Sequence, residues 1–239
     1  MWQYPPQNIL VAVDFGSASA RALRVAEALA AQHGSAITAL HAETLEVPPY
    51  FTHDQLKEVE RNRAQARREA QRYLESYVRS SAPSAAASLV DGPAVEAVLS
   101  AAAGHDLLVL GTHGRRGPSR WWIGSVAERV VRDSPVPALV VRAEPEPTPG
   151  EQVFARPVAV AGREFHGEAL HYAQGLAASF GGEVAEKAVS TLGDLECDPR
   201  ASLMVVATGP RHGGEWFGDT AERLVRTCAL PMLFVPNRG

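Results

Sequence analysis

Ile9-Leu10-Val11-Ala12-Val13-Asp14-Phe15-Gly16-Ser17 opens with five apolar residues and closes in turn formers. A short, unbroken apolar run bounded in this way suits a strand buried on both faces. Apolar residues then recur at helical spacing through Ala22, Leu23, Ala26, Leu29 and Ala30, with Ser17 or Ser19 available as N-cap and Gly34 as the stop. Strand and helix therefore follow one another directly. The same alternation continues outward.

Ala36 to His41 predicts a second strand, and a charged helix follows from about Asp54 to Ser80. A weaker strand at Ala86 to Val90, a helix over Ala94 to Ala103 and a strand over Leu107 to Leu110, ending at Gly111, come next. Val126 to Arg132 reads as helix and Ala138 to Val141 as the last strand of this set. Strands separated by helices need crossover connections, so the sheet is mostly parallel and covered on both faces. The expected fold is α/β, a doubly wound five-stranded parallel sheet. Ligands bind such sheets at the carboxyl ends of the strands, where the strand order reverses. The first and fourth strands flank that point, so Asp14 and the residues from Gly111 onward should face one crevice.

Residues 143–155 read as a linker, because Pro145, Pro147 and Pro149 favour an extended chain. Beyond it the pattern restarts. Pro157 to Ala161 parallels the first strand, Glu168 to Phe180 the first helix with Gly181 and Gly182 as its stop, and Leu203 to Gly209 the fourth strand. Thr220 to Arg226 parallels Val126 to Arg132, and Leu230 to Val235 parallels Val136 to Val141. Five matches in order mark an internal duplication. Few residues lie between Val189 and Ser202, where the first copy has a helix, a strand and another helix. The expected organisation is a domain over 1–142 and a truncated second copy over 156–239.

Bulk properties narrow the classes of function. A composition of 46% hydrophobic and 21% charged residues is that of a globular chain, and a formal charge of −4 gives no general attraction to nucleic acid or anionic membranes. Basic residues between Arg61 and Arg79 alternate with Glu58, Glu60, Glu69 and Glu75, the pattern of a solvated helix face. Cys197 and Cys228 have no metal-ligand spacing, and either buried thiols or one disulfide fits them. The start of the chain lacks the apolar run of a signal peptide and no stretch is apolar enough to span a membrane, so a cytoplasmic location is expected.

The chemistry concentrates in Gly111-Thr112-His113-Gly114, followed after nine residues by Gly124-Ser125. Glycines let a backbone turn tightly and approach a ligand without an intervening Cβ. Backbone N–H groups of such a loop, with those opening the next helix, form a concave anion site, and Ser125 can cap the helix and donate to a phosphate. Glycines that merely shape a long loop are the competing reading. Arg115, Arg116 and Arg120 either neutralise a polyphosphate or are solvated loop charges. His113 reads as structural rather than as a base, since no nucleophile and orienting acid can be assembled around it. Trp121 and Trp122 admit packing under the loop, cover over a ligand, or a partner surface.

The run from Leu108 to Val141, including Gly111 to Gly117 and Gly124 to Val130, resembles the signature of the universal stress protein family. ATP-binding members of that family carry Gly-x2-Gly-x9-Gly-Ser/Thr, and residues 111–125 match it without a gap. The resemblance covers the whole first domain and, more weakly, residues 156–239. It implies ATP at the ends of the first and second strands, at Ala12, Val13, Asp14 and Ala42. Asp14 would accept a hydrogen bond from the nucleoside and Ala42 would offer backbone to the base. Gly111, Thr112 and Gly114 would line the ribose and first phosphates; Arg115, Arg120, Gly124, Ser125 and Val126 the outer ones. Mg²⁺ would bridge phosphates with most of its waters kept. Ala161 replaces Asp14 in the second copy, Gly209 to Gly218 spans a shorter interval than Gly111 to Gly124, and Asp219 replaces Ser125. That copy is expected to hold no ATP, although Arg211, His212, Gly213 and Gly214 leave another anion site open.

The function implied is a nucleotide-dependent role in stress response or signalling with at most slow ATP hydrolysis. A nucleotide-free adaptor or dimerisation protein is the alternative. An adenylating enzyme is disfavoured, because neither an SGGxDS-type nor a GxxxxGK[ST] loop occurs. Family members dimerise through their last strands, so the resemblance implies an intramolecular pseudo-dimer of the two copies, and association of two chains into a homodimer.

Overall fold

The computed structural model describes residues 2–44, 53–112, 125–143, 149–156, 158–161, 166–187, 201–208 and 230–236. The first half runs β1 (Asn8–Ala12), α1 (Ser17–His33), β2 (Ala36–Glu43), α2 (His53–Ser81), β3 (Ala86–Asp91), α3 (Ala94–Ala102), β4 (Leu107–Thr112), α4 (Ser125–Asp133) and β5 (Ala138–Arg142). Each element lies within a residue or two of its sequence expectation. The strands pair in parallel as β3-β2-β1-β4-β5. Ile9, Leu10 and Val11 are fully buried, which requires cover on both faces of β1. Helices α1 and α2 pack together, as do α3 and α4. The fold is α/β with a mostly parallel sheet.

Helix α1 shows how the local sequence works. Its buried positions Ala18, Ala22, Leu23, Val25, Ala26, Leu29 and Ala30 recur every three or four residues and form one apolar stripe. Gly34 ends it in the left-handed region at φ 72°, its N–H donating to Ala30 O at 2.7 Å. The start differs from the sequence expectation. Neither Ser17 nor Ser19 caps the helix; the N-cap is Gly16. Asp14 Oδ1 accepts the Gly16 N–H at 2.9 Å, which turns the chain into the helix before the serines are reached.

The described remainder comprises a short 3₁₀ helix (Gly150–Phe154), β6 (Val158–Ala161), α5 (His166–Phe180), β7 (Val184–Lys187), β8 (Leu203–Thr208) and β9 (Met232–Pro236). The 3₁₀ turn falls in the expected linker but is not loose: Val153 and Phe154 are buried, and Phe154 stacks on Phe180 at 4.5 Å. Strands β7, β6, β8 and β9 are parallel to one another, and β9 joins β5 antiparallel through Ala138↔Phe234, Leu139↔Leu233 and Val140↔Met232. One sheet results, in the order β3-β2-β1-β4-β5-β9-β8-β6-β7.

The residues before β1 tie the two ends of the chain. Trp2 is buried and its indole N–H donates to Pro236 O at 2.6 Å. Tyr4 OH meets Ser179 Oγ at 3.0 Å and His33 Nε2 at 3.1 Å, and its ring stands edge-on to Tyr172 at 5.2 Å. Expectations for Cys197, Cys228 and the helix over 220–226 fall outside the described residues.

Candidate functional site

The sheet register decides what the site contains. Ala12 pairs with Leu40 of β2 on one side and Leu110 of β4 on the other. Val13 and Asp14 therefore leave β1 beside Gly111 and Thr112, with Ala42 level on β2. Six of the residues singled out in the sequence are brought to one end of the sheet. Ser125 opens α4, and Val126, 44% exposed, presents the first turn of that helix to solvent. Gly114, Arg115, Arg120 and Gly124, with His113, Arg116, Trp121 and Trp122, lie outside the described residues. So do Arg211 to Gly214 and Asp219.

Asp14 is exposed at the mouth of this end. Val13 is fully engaged: its N–H donates to Leu40 O at 2.8 Å and its carbonyl meets His41 Nδ1 at 2.7 Å. Thr112 is buried; its carbonyl accepts the Ala143 N–H at 3.3 Å, while its Oγ1 has no hydrogen-bond partner among the described residues. A buried hydroxyl without a partner is costly in an apolar environment. It stands at the last position of β4, where the glycine-containing loop begins.

Gly111 has a steric reason to be glycine. A Cβ there would fall within about 2.5 Å of Ala18 O and Ser19 N in the first turn of α1. The end of β4 thus sits directly against the start of the helix that follows Asp14. Arg21, one turn further along α1, donates from Nη1 to Arg142 O at 3.0 Å, so the ends of β5 and α1 are joined too. Burial pushes the Arg142 guanidinium below its ordinary value.

Ser19 apart, which the sequence offered only as a helix cap, sequence reasoning did not single out the residues that hold the Asp14 turn. Phe15 adopts φ 61°, a left-handed conformation costing a non-glycine residue about 1–2 kcal/mol. Its ring is held against His41 at 4.4 Å, Tyr73 at 4.9 Å and Tyr77 at 5.3 Å. Tyr77 OH donates to Gly16 O at 2.7 Å and lies 2.9 Å from Ser19 Oγ. Ser19 Oγ accepts the Asp14 N–H at 3.4 Å and reaches Gly16 O at 3.0 Å. Burial raises the Tyr77 phenol above its ordinary value, the Ser19 hydrogen bond opposing and the Asp14 charge adding to it. One signal was present in the sequence: Tyr73 and Tyr77 are spaced i, i+4 on an otherwise charged helix, beside the buried Leu74 and Val78.

The acidic turn after β1 and the close-packed glycine at the end of β4 thus meet at one end of a mostly parallel α/β sheet. Residues 6–142 match the model of the universal stress protein family. The chain is also 33% identical over 138 residues to a Thermus aquaticus protein described as universal stress protein in QAH/OAS sulfhydrylase 3′ region, covering 57% of this chain and 98% of that one. The chain belongs to the universal stress protein family. Over nearly its full length the fold matches a universal stress protein from Archaeoglobus fulgidus, with TM-score 0.70, 18% identity, and coverage of 99% of this chain and 100% of that one. A Pseudomonas aeruginosa protein described as functionally unknown shares it with TM-score 0.60 and 14% identity, over 97% and 93% of the two chains.

Proposed function

We propose that residues 6–142 bind one ATP at the carboxyl ends of β1 and β4, and that the bound state controls conformation or partners rather than serving rapid turnover. The observation that carries this reading is the juxtaposition of the exposed Asp14 turn with Gly111, across strands paired at Ala12 and Leu110. Two features fit a nucleotide. Gly111 lets the end of β4 pack directly against the first turn of α1, beside the Asp14 turn, and α4 opens at Ser125 with N–H groups suited to phosphate. Asp14 would accept from the nucleoside, with Ala12, Val13 and Ala42 alongside the base. Gly111, Thr112, Gly114, Arg115, Arg120, Gly124, Ser125 and Val126 would follow the ribose and phosphates. Among the described residues no group of three or more His, Cys, Asp or Glu side chains gathers to hold a metal. Mg²⁺ would be held through the phosphates, where it supplies charge neutralisation.

The second half, in this reading, is a shortened copy of the first, and residues 143–155 join the two. Parallel sequence segments and the antiparallel β5–β9 pairing support an intramolecular pseudo-dimer. The copy would hold no ATP, since Ala161 stands at the Asp14 position. Two chains would further associate as a homodimer, which light scattering on the purified protein would detect. No described helix is long and apolar enough to cross a membrane, and the setting proposed is the cytoplasm.

Calorimetric titration of nucleotide-stripped protein with Mg-ATP tests the core of the reading. One ATP per chain is expected. Asp14→Ala removes one polar contact worth about 1–3 kcal/mol and should weaken binding by roughly 5- to 150-fold. Two ATP per chain would overturn the reading of the second half. No binding would favour the adaptor function.

A further inference from the structure

We propose that Tyr77 of α2 is a positioning residue for the nucleotide site, locking the Asp14 turn from the helix that follows β2. The proposal rests on the ATP reading of that site and adds to it a residue outside the glycine loop and outside the strand ends. Gly16 is the node. Its N–H goes to Asp14 Oδ1, and its carbonyl receives the Ala20 N–H at 3.1 Å, Ser19 Oγ at 3.0 Å and Tyr77 OH at 2.7 Å. Each hydroxyl carries one proton. With Tyr77 donating to Gly16 O, the Ser19 proton is shared between Gly16 O and Tyr77 OH, while Ser19 Oγ accepts from Asp14 N. Asp14 is thus held through both its backbone and its carboxylate by a network that ends on Tyr77.

The aromatic contacts reinforce the same point. Phe15 sits between Asp14 and Gly16 in a left-handed conformation that the chain would abandon unless something held it. Tyr73 and Tyr77 bracket its ring from α2, and His41 holds it from β2 while bonding Val13 O. Tyr73 is 60% exposed, an apolar body left open beside the turn. A carboxylate used to orient a nucleoside must keep its direction, since misplacement by a fraction of an ångström forfeits a hydrogen bond. Helix α2 supplies that constraint across 61 residues of sequence.

The test compares wild-type protein, Tyr77→Phe, Ser19→Ala, Asp14→Ala and Tyr4→Phe by Mg-ATP titration and by hydrogen exchange at the Gly16 amide. Tyr77→Phe keeps the ring against Phe15 and removes only the hydroxyl; Ser19→Ala removes the same node from the α1 side. Both should weaken ATP binding by roughly threefold to tenfold and speed exchange at Gly16. Tyr4→Phe removes a hydrogen-bonded hydroxyl at the other end of β1 and should leave the affinity unchanged. If Asp14→Ala weakens binding while Tyr77→Phe and Ser19→Ala match wild type, the positioning role is overturned and the ATP site stands. An equal loss in Tyr4→Phe would overturn it as a general effect of stability. Wild-type protein that binds no Mg-ATP overturns the nucleotide reading, and the positioning role with it.

Discussion

Gly111 lies against Ala18 so closely that the end of strand β4 and the first turn of α1 meet main chain to main chain: a Cβ on Gly111 would approach Ala18 O to 2.5 Å. The obstruction is main chain rather than the mobile end of a side chain. It cannot move aside without shifting the helix that follows Asp14.

Gly111→Ala should therefore be destabilising despite adding a single carbon. Overpacking commonly costs about 1–3 kcal/mol, and a backbone clash belongs at the upper end of that range. Urea unfolding reads the stability and Mg-ATP titration the proposed site. Both should deteriorate together, because the displaced helix carries Ser19 and begins at the Asp14 turn.

Trp2 anchors the start of the chain to its last described strand. Trp2→Ala removes a buried indole and the hydrogen bond to Pro236 O, and should cost about 3–5 kcal/mol. Denaturant titration checks this. A change below about 1 kcal/mol would mean that the contact is dispensable to the fold.

Tyr172 has a fully buried ring whose hydroxyl lacks a hydrogen-bond partner among the described residues. Tyr172→Phe deletes that unpaired group and keeps the ring, so stability at neutral pH should be equal or raised, by up to about 2 kcal/mol. Burial holds the Tyr172 phenol far above the 10.0 of a free tyrosine. A raised folded value favours the protonated folded state, and that contribution is complete below pH 10.0 and lost as the pH climbs above it. Wild-type stability should thus fall above pH 10.0, and the fall should be shallower in Tyr172→Phe.

His33 gives the opposite window. Burial lowers its imidazole below 6.5, so the unfolded chain takes up a proton at a higher pH than the folded one does. Stability should decline as the pH drops through 6.5 towards the depressed folded value. His33→Gln should remove this part of the decline, measured as unfolding midpoints on either side of pH 6.5.

The alternation of strands and helices was legible because it is written in local periodicity. Ile9 to Val13 is uniformly apolar since β1 is covered on both faces, and Gly34 marks the end of α1 since a left-handed cap suits glycine. The adjacency of β1 and β4 also followed, because right-handed crossovers leave few orders open. Strand β7 went unread. It is four residues long, Val184 to Lys187, with Glu186 and Lys187 breaking the apolar run, and sits at the end of the strand order. Its parallel pairing with β6, not its own pattern, makes it a strand.

The sequence by itself determined the fold class, the turn after β1 and the placing of Asp14 and Gly111 at one end of the sheet, since strands and turns follow from local propensity and their order from the rules of crossover connection. Only the tertiary structure decided what holds that turn. Tyr77 reaches Gly16, Arg21 reaches Arg142 O and Trp2 reaches Pro236 across 61, 121 and 234 residues. A hydrogen bond between groups so far apart leaves no period in the chain, because it forms only after packing has brought the two helices or strands together.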